Sequence, residues 1–281
     1  MAPKKRPRPA AGPDLPALMK KLLTSRGRNV AVKELVRFVH DNDNPREWSR
    51  CQAVYDLLLS TQGALQALIG LLGSDCTDAV GDAAALLHND TIALSEAFQE
   101  LLVRVGAVDK LVALLATEED DIAQNAAGAI GLLVIVNDEN DDFRADGHLR
   151  VLEVYEADAV PALHSMLARG AASCVAQQAA ATLKNILRGG NTSVEWAMLK
   201  WLENKPPPVD FPILMDALRE MSQSFVDGAR PWVLRYGGRS SGVDARLRHA
   251  MTIADSINDR KGFKREGDYY ELVNALGGPS N

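Results

Sequence analysis

Gly63-Ala-Leu-Gln-Ala-Leu-Ile-Gly-Leu-Leu72 returns as Gly106-Ala-Val-Asp-Lys-Leu-Val-Ala-Leu-Leu115, and again as Asp158-Ala-Val-Pro-Ala-Leu-His-Ser-Met-Leu167. Each copy is followed, eleven or twelve residues on, by an alanine-rich stretch: Ala83-Ala-Ala-Leu-Leu-His-Asn89, Ala126-Ala-Gly-Ala-Ile-Gly-Leu132 and Ala179-Ala-Ala-Thr-Leu-Lys-Asn185. Apolar residues recur at helical spacing in both blocks. Val108, Leu111, Leu114 and Leu115 share one face of the first helix, and Ile122, Ala126, Ala129, Ile130 and Leu133 one face of the next. A repeat of this size cannot bury its own apolar face and must stack on its neighbours. The pattern predicts an all-α fold.

Upstream, residues 30–60 read as a worn copy: Val30 to Val39 aligns with the Gly63 block, and Cys51 to Leu57 with the alanine-rich block. The block starts then lie 33, 43 and 52 residues apart. The last interval is lengthened by the acidic insertion Asn137-Asp-Glu-Asn-Asp-Asp142, running to Gly147. Gly106 and Gly147 are predicted to break helices, and Asp78 and Asp121 to cap helix starts. Residues 1–14 carry four prolines without apolar periodicity, the signature of a disordered basic tail. A short amphipathic helix is predicted over Leu15–Leu23, with Leu15, Leu18, Leu22 and Leu23 on one side. The repeat region occupies 15–190 and ends near Gly189-Gly190. Residues 191–281 do not fit the repeat and read as a helical cap or a small helical subdomain. Helices are predicted there near 195–203, 213–225, 245–257 and 269–276, with Lys205-Pro-Pro-Pro208 as a stop.

Net charge is −6 over 281 residues, unevenly spread. Residues 1–28 hold eight Lys/Arg against one acid, whereas residues 63–160 hold nineteen Asp/Glu against four Lys/Arg. An acidic body repels nucleic acid backbone and attracts basic peptides. The expected partner is therefore a protein or peptide, with basic ones favoured, and nucleic acid is disfavoured. No apolar run approaches transmembrane length, and the basic start has no apolar core behind it as a secretory signal would. Cys51, Cys76 and Cys174 are odd in number and lie in apolar helical contexts, so reduced, buried thiols are expected. An intracellular site, cytoplasm or nucleus, follows as the expectation. Lys4-Lys-Arg-Pro-Arg8 (Lys4, Lys5, Arg6, Arg8) has the form of a basic nuclear-import signal.

Gly-Ala-Leu/Val-x-x-Leu-Val-x-Leu-Leu combined with Ala-Ala-x-Ala-Leu-x-Asn resembles the armadillo repeat over roughly residues 30–190, clearly for three units. That resemblance implies an armadillo-like α–α superhelix, a right-handed solenoid, here with extra C-terminal helices. It also implies a non-enzymatic protein-binding scaffold whose third helices line a concave peptide groove. In importin-α-like and β-catenin-like members, asparagines near the end of the third helix hold the peptide backbone, since an amide both donates and accepts. By position those are Asn89 and Asn185, with Leu132 and Leu57 in the other units. Gln124 and Gln177 are expected to face the groove, with Asp82, Asn125 and Lys184 near its edge. The tryptophans of importin-α-like grooves are replaced by Ala53, Ala85, Gly128 and Ala181, which removes the aromatic walls that clamp lysine stems.

Enzymatic and metal chemistry finds little footing. Read as an EF-hand from Asp138, the acidic insertion places Phe143 and Leu149 where glycine and a bidentate glutamate are needed. His40, His88, His148, His164 and His249 lack metal-ligand spacing, and His164 with Cys174 has no orienting third residue. Gly237-Gly-Arg-Ser-Ser-Gly242 lacks the Gly-Lys-Ser/Thr ending of a phosphate loop. No cofactor is expected. Gly262-Phe-Lys-Arg-Glu-Gly-Asp-Tyr-Tyr-Glu-Leu-Val-Asn274 faintly resembles the opening of a transglutaminase-like domain, which would imply a truncated or degenerate fusion. A nucleic-acid adaptor using the basic N-terminus is the remaining alternative.

Overall fold

A computed structural model of the chain describes residues 13–40, 47–89, 95–135, 144–189, 211–214 and 216–217. Among these residues every regular element is a helix. Contacts divide the chain into two compact units, Met1–Gly106 and Ala107–Asn281.

The first unit contains α1 (Leu15–Leu22), α2 (Arg28–Val39), α3 (Glu47–Ser60), α4 (Ala64–Leu71), α5 (Thr77–Leu87) and α6 (Glu96–Arg104). α1 starts where the Asp14 carboxylate accepts the Ala17 N–H at 3.1 Å, so a side chain satisfies a helix-end donor. It buries Leu18, Met19 and Leu22. Leu23, predicted inward, is the C-cap residue and 41% exposed, because the chain has already turned away from the helical face. α2 buries Ala31, Val32, Leu35 and Val39, and packs both on α1 and alongside α5.

That packing corrects the register of the first repeat. The Val30–Val39 stretch is not an equivalent of the Gly63 block; it lies on α2, the partner of α5, and so is a third helix of a trio whose second helix is α1. Cys51 to Leu57 lies on α3, which leads the trio α3–α4–α5. Leu57 and Ala53 therefore do not belong to the third-helix series. The Tyr55 hydroxyl on α3 donates to the Leu86 carbonyl at 2.6 Å, and its ring meets Phe98 of α6 edge-on at 5.0 Å. Burial holds this phenol far above its ordinary titration range, with Cys51 adding to the effect.

The second unit contains α7 (Ala107–Leu114), α8 (Asp120–Leu133), α9 (Arg144–Glu156), α10 (Ala159–Met166) with a 3₁₀ turn at Leu167–Arg169, and α11 (Cys174–Gly189). Val108, Leu111 and Leu115 are buried as predicted, with Leu114 half-buried. All five predicted inward residues of α8 are buried. Gly147 does not break a helix; it lies inside α9, which already begins at Arg144. Asp78 and Asp121 sit in first turns, the N-cap positions being Cys76 and Glu119.

Three corners between consecutive helices use left-handed backbone: Gly63 at φ 80°, Gly106 at φ 76° and Asp158 at φ 61°. Glycine enters that region without steric penalty, and a short acidic side chain tolerates it. The repeat's Gly/Asp-Ala opening is thus a backbone requirement.

α8 and α11 form the most extensive helix pair among those described. Small residues let them approach closely. The buried Thr182 hydroxyl donates to the Ala127 carbonyl at 2.7 Å, and Asn185 Nδ2 donates to the Gly131 carbonyl at 3.2 Å. Arg169 pairs with Asp120 and donates to the Thr117 carbonyl at 3.0 Å, fixing the other end. At the C-terminal end of α8, buried Arg150 donates through Nε to the Leu133 carbonyl at 3.1 Å, a cation where the helix dipole is negative.

Of the cysteines, Cys51 is buried, Cys76 is half-buried and Cys174 is exposed. The last two depart from the expectation of burial because they stand at helix starts, where few side chains surround them. In the C-terminal region residues 212–214 and 216–217 are helical, with Phe211, Leu214 and Ala217 buried and Ile213 exposed. The basic cluster at 4–8, the acidic insertion at 137–142, the helices placed near 195–203, 245–257 and 269–276, the proline stop at 205–208, the Gly/Ser loop at 237–242 and the 262–274 segment lie outside the described residues. No helix among the described residues is long and apolar enough to cross a membrane.

Candidate partner-binding site

The third helices are α2 and α5 in the first unit, and α8 and α11 in the second. Each buries an Ala- or Leu-rich stripe and leaves polar side chains on the flank. α5 buries Ala79, Val80, Ala83, Ala84, Leu86 and Leu87, while Asp78 is exposed and Asp82 and Ala85 are half-buried. α11 buries Val175, Ala176, Ala179, Ala180, Thr182 and Leu183, leaving Gln178, Ala181, Lys184 and Asn185 half-buried.

The two matched asparagines are not equivalent. Asn185 lies within α11, half-buried, with its amide N–H₂ engaged by the Gly131 carbonyl. Asn89 follows the C-cap His88 of α5, so the chain has left the helix. It is 8% exposed, and Nδ2 donates to Cys51 Sγ on α3 at 3.2 Å. Its place in the motif is that of Asn185, but the shorter helix α5 swings it onto α3. Leu132, the apolar member of the series, is 9% exposed.

Gln124 and Asn125 are half-buried on α8. The contacts of Thr182 with Ala127 and Asn185 with Gly131 define a parallel register, which one turn earlier sets Gln124 level with Gln178. Gln177 is exposed, and its Nε2 folds back to the Ala171 carbonyl at 2.8 Å. Gln124, Asn125, Gln177, Lys184 and Asn185 thus share one packed helix pair, while Asp82 and Asn89 belong to the other unit. Glu118, Glu119, Asp120 and Asp121 are exposed where α8 begins. At the positions where importin-α-like grooves place tryptophan, Ala85 and Ala181 are half-buried and Gly128 is buried, so no aromatic wall rises there.

Asp82 titrates above the ordinary carboxylate range. Burial is the main cause and Asp78 adds to it, while Lys33 and Arg37 of α2 oppose it. Those two cations, exposed at i and i+4, were not among the residues the repeat motif selected. The signal was present as Lys33-x-x-x-Arg37, but only after α2 is recognised as a third helix does it acquire a neighbour. No group of three or more His, Cys, Asp or Glu side chains able to hold a metal occurs among the described residues.

With this geometry the comparisons agree. Residues 95–135, spanning α6, α7 and α8, match the Armadillo/beta-catenin-like repeat. A designed armadillo repeat protein superposes with a TM-score of 0.55 at 17% identity, covering 94% of this chain and all (100%) of that one. Another, solved in complex with the peptide (KR)4, superposes at 0.53 with 16% identity, covering 94% of this chain and 100% of that one. A third, from computationally designed armadillo repeat proteins for modular peptide recognition, gives 0.52 at 19% identity over 94% and 98% of the two chains. None of the curated proteins matches. Residues 95–135 thus carry an armadillo-type repeat, and the chain has an armadillo-like fold, all-α among the described residues.

Proposed function

We propose that this protein is a non-enzymatic interaction scaffold that captures an extended, predominantly basic partner segment on the flanks of its third helices. The observation that carries the reading is the α8–α11 pair. Side-chain-to-backbone hydrogen bonds lock the two helices together, and Gln124, Asn125, Lys184 and Asn185 stand beside them partly exposed. Glu118, Glu119 and Asp121, exposed at the start of α8 beside the Arg169-paired Asp120, and the acidic balance of residues 63–160 supply attraction for cations. A designed relative in fold is named for its complex with a basic peptide, which supports the same ligand class here.

Fluorescence anisotropy with labelled (KR)4 tests this, with an uncharged Gly/Ser octapeptide as control. Affinity for (KR)4 should fall steeply between about 50 and about 300 mM salt, as expected for exposed charges. Glu118→Lys with Glu119→Lys should weaken it further. Absence of binding, or equal binding of both peptides at both salts, refutes the reading. The Lys4-Lys-Arg-Pro-Arg8 segment is proposed as a nuclear-import signal; residues 1–14 fused to a fluorescent cytosolic protein should concentrate it in nuclei, and an even distribution removes the proposal.

A further inference from the structure

The first unit carries two facing rows of opposite charge. α2 exposes Lys33 and Arg37 one turn apart, and α5 presents Asp78, exposed, and Asp82, half-buried, also one turn apart. The helices pack side by side, and both cations act electrostatically on Asp82. Yet among the described residues no ion pair within 4 Å joins Lys33 or Arg37 to Asp78 or Asp82. Two cations and two anions therefore border each other with unspent valence. Between them the surface is shallow, since the next α5 position along is Ala85. Val30, 52% exposed one turn before Lys33, adds an apolar edge to the cationic row.

We infer that the α2–α5 face selects a segment of mixed charge, with an acidic residue over Lys33 and Arg37 and a basic residue over Asp78 and Asp82. This rests on the scaffold reading above and refines it, naming the charge pattern where the segment crosses the first unit. Packed helix axes lie about 8–10 Å apart, and an extended chain advances about 3.3 Å per residue. The opposite charges of the segment should then stand about three residues apart. A uniformly basic segment satisfies α5 but brings like charge against α2, and a uniformly acidic one does the reverse. The half-buried Asp82 carboxylate, incompletely compensated by its neighbours, gains from a cation delivered by the partner.

The test uses the full chain and three labelled octapeptides, (KR)4, KRKRSSEE and its reverse EESSRKRK, compared by anisotropy at low salt. One of the two mixed peptides should bind better than (KR)4 by about fivefold, the scale of two exposed charge pairs. Lys33→Glu with Arg37→Glu, both at exposed positions, should invert that preference; the added repulsion on Asp82 should lower the thermal midpoint while the helical circular dichroism signal stays intact. Mixed peptides binding no better than (KR)4, with the order unaltered in the double variant, overturn the inference and leave the scaffold reading standing. If none of the three binds, both fall.

Discussion

Gly131→Ala should destabilise the second unit, and the same substitution should stabilise it once Thr182 is shortened. A Cβ built on Gly131 falls 2.8 Å from Thr182 Oγ1, closer than real contacts allow, while the next atoms, Thr182 Cα and Cβ, stand at an ordinary 3.6 Å. The hydroxyl cannot simply rotate away. It is fully buried and bound to the Ala127 carbonyl at 2.7 Å. Two costs then add: overpacking of about 1–3 kcal/mol and a weakened buried hydrogen bond of about 0.5–1.5 kcal/mol. Replacing a helical glycine returns about 1 kcal/mol, leaving a net loss of about 2 kcal/mol. In a Thr182→Ala background the clash disappears and only the propensity gain remains, so Gly131→Ala should add about 1 kcal/mol of stability. The coupling between the sites is then about 3 kcal/mol, at the upper end for contacting residues. Urea unfolding of the four proteins measures it from midpoint shifts at constant slope. Additive effects, or a stabilising Gly131→Ala in the parent, would show that α8 and α11 do not approach as described.

Four further outcomes follow from particular residues. Gly106→Ala should cost about 1–2 kcal/mol in urea unfolding, since its φ of 76° is left-handed and open space surrounds the new methyl group. Asp158→Gly should change stability by less than about 1 kcal/mol, because relief of the φ 61° backbone offsets the greater freedom of the unfolded chain. Asp82→Asn should raise the thermal midpoint at pH 7: a carboxyl with a raised folded pKa is a liability above that pKa and none below the ordinary value of 3.8, so the gain should vanish as pH falls through that window. An unchanged midpoint at pH 7 counts against the crowding of Asp82. Tyr55→Phe should cost about 1–2 kcal/mol by removing the bond to Leu86, and the native Tyr55 should give no phenolate absorbance at pH 11 while the chain stays folded.

The repeat and its buried faces were legible because they are local: Val108, Leu111 and Leu115, or Ile122, Ala126 and Ile130, announce themselves by spacing alone. The register of the first repeat was not. α2 carries apolar residues at the same helical spacing as α4, so Val30–Val39 matched the Gly63 block by pattern, and only its packing against α5 reveals its rank. The candidate groove residues split along the same line. Asn185 sits in a helix long enough to keep it on the helical face, whereas Asn89 lies past the end of α5 and turns to Cys51. A motif records the spacing of such residues but not where the helix stops. Contacts such as Thr182 to Ala127, 55 residues apart, leave no local trace in a single sequence.

The bonds of α11 to Ala127 and Gly131 of α8, with Arg169 of the preceding 3₁₀ turn held by Asp120 and the Thr117 carbonyl, spread over nearly the whole length of the pair. Bonds at both ends and in the middle suppress sliding and rolling alike, so the two helices behave as one stiff ruler. A guest laid across them would be gauged at an unvarying interval. Inserting one residue between its anchor points would then put the second anchor out of phase.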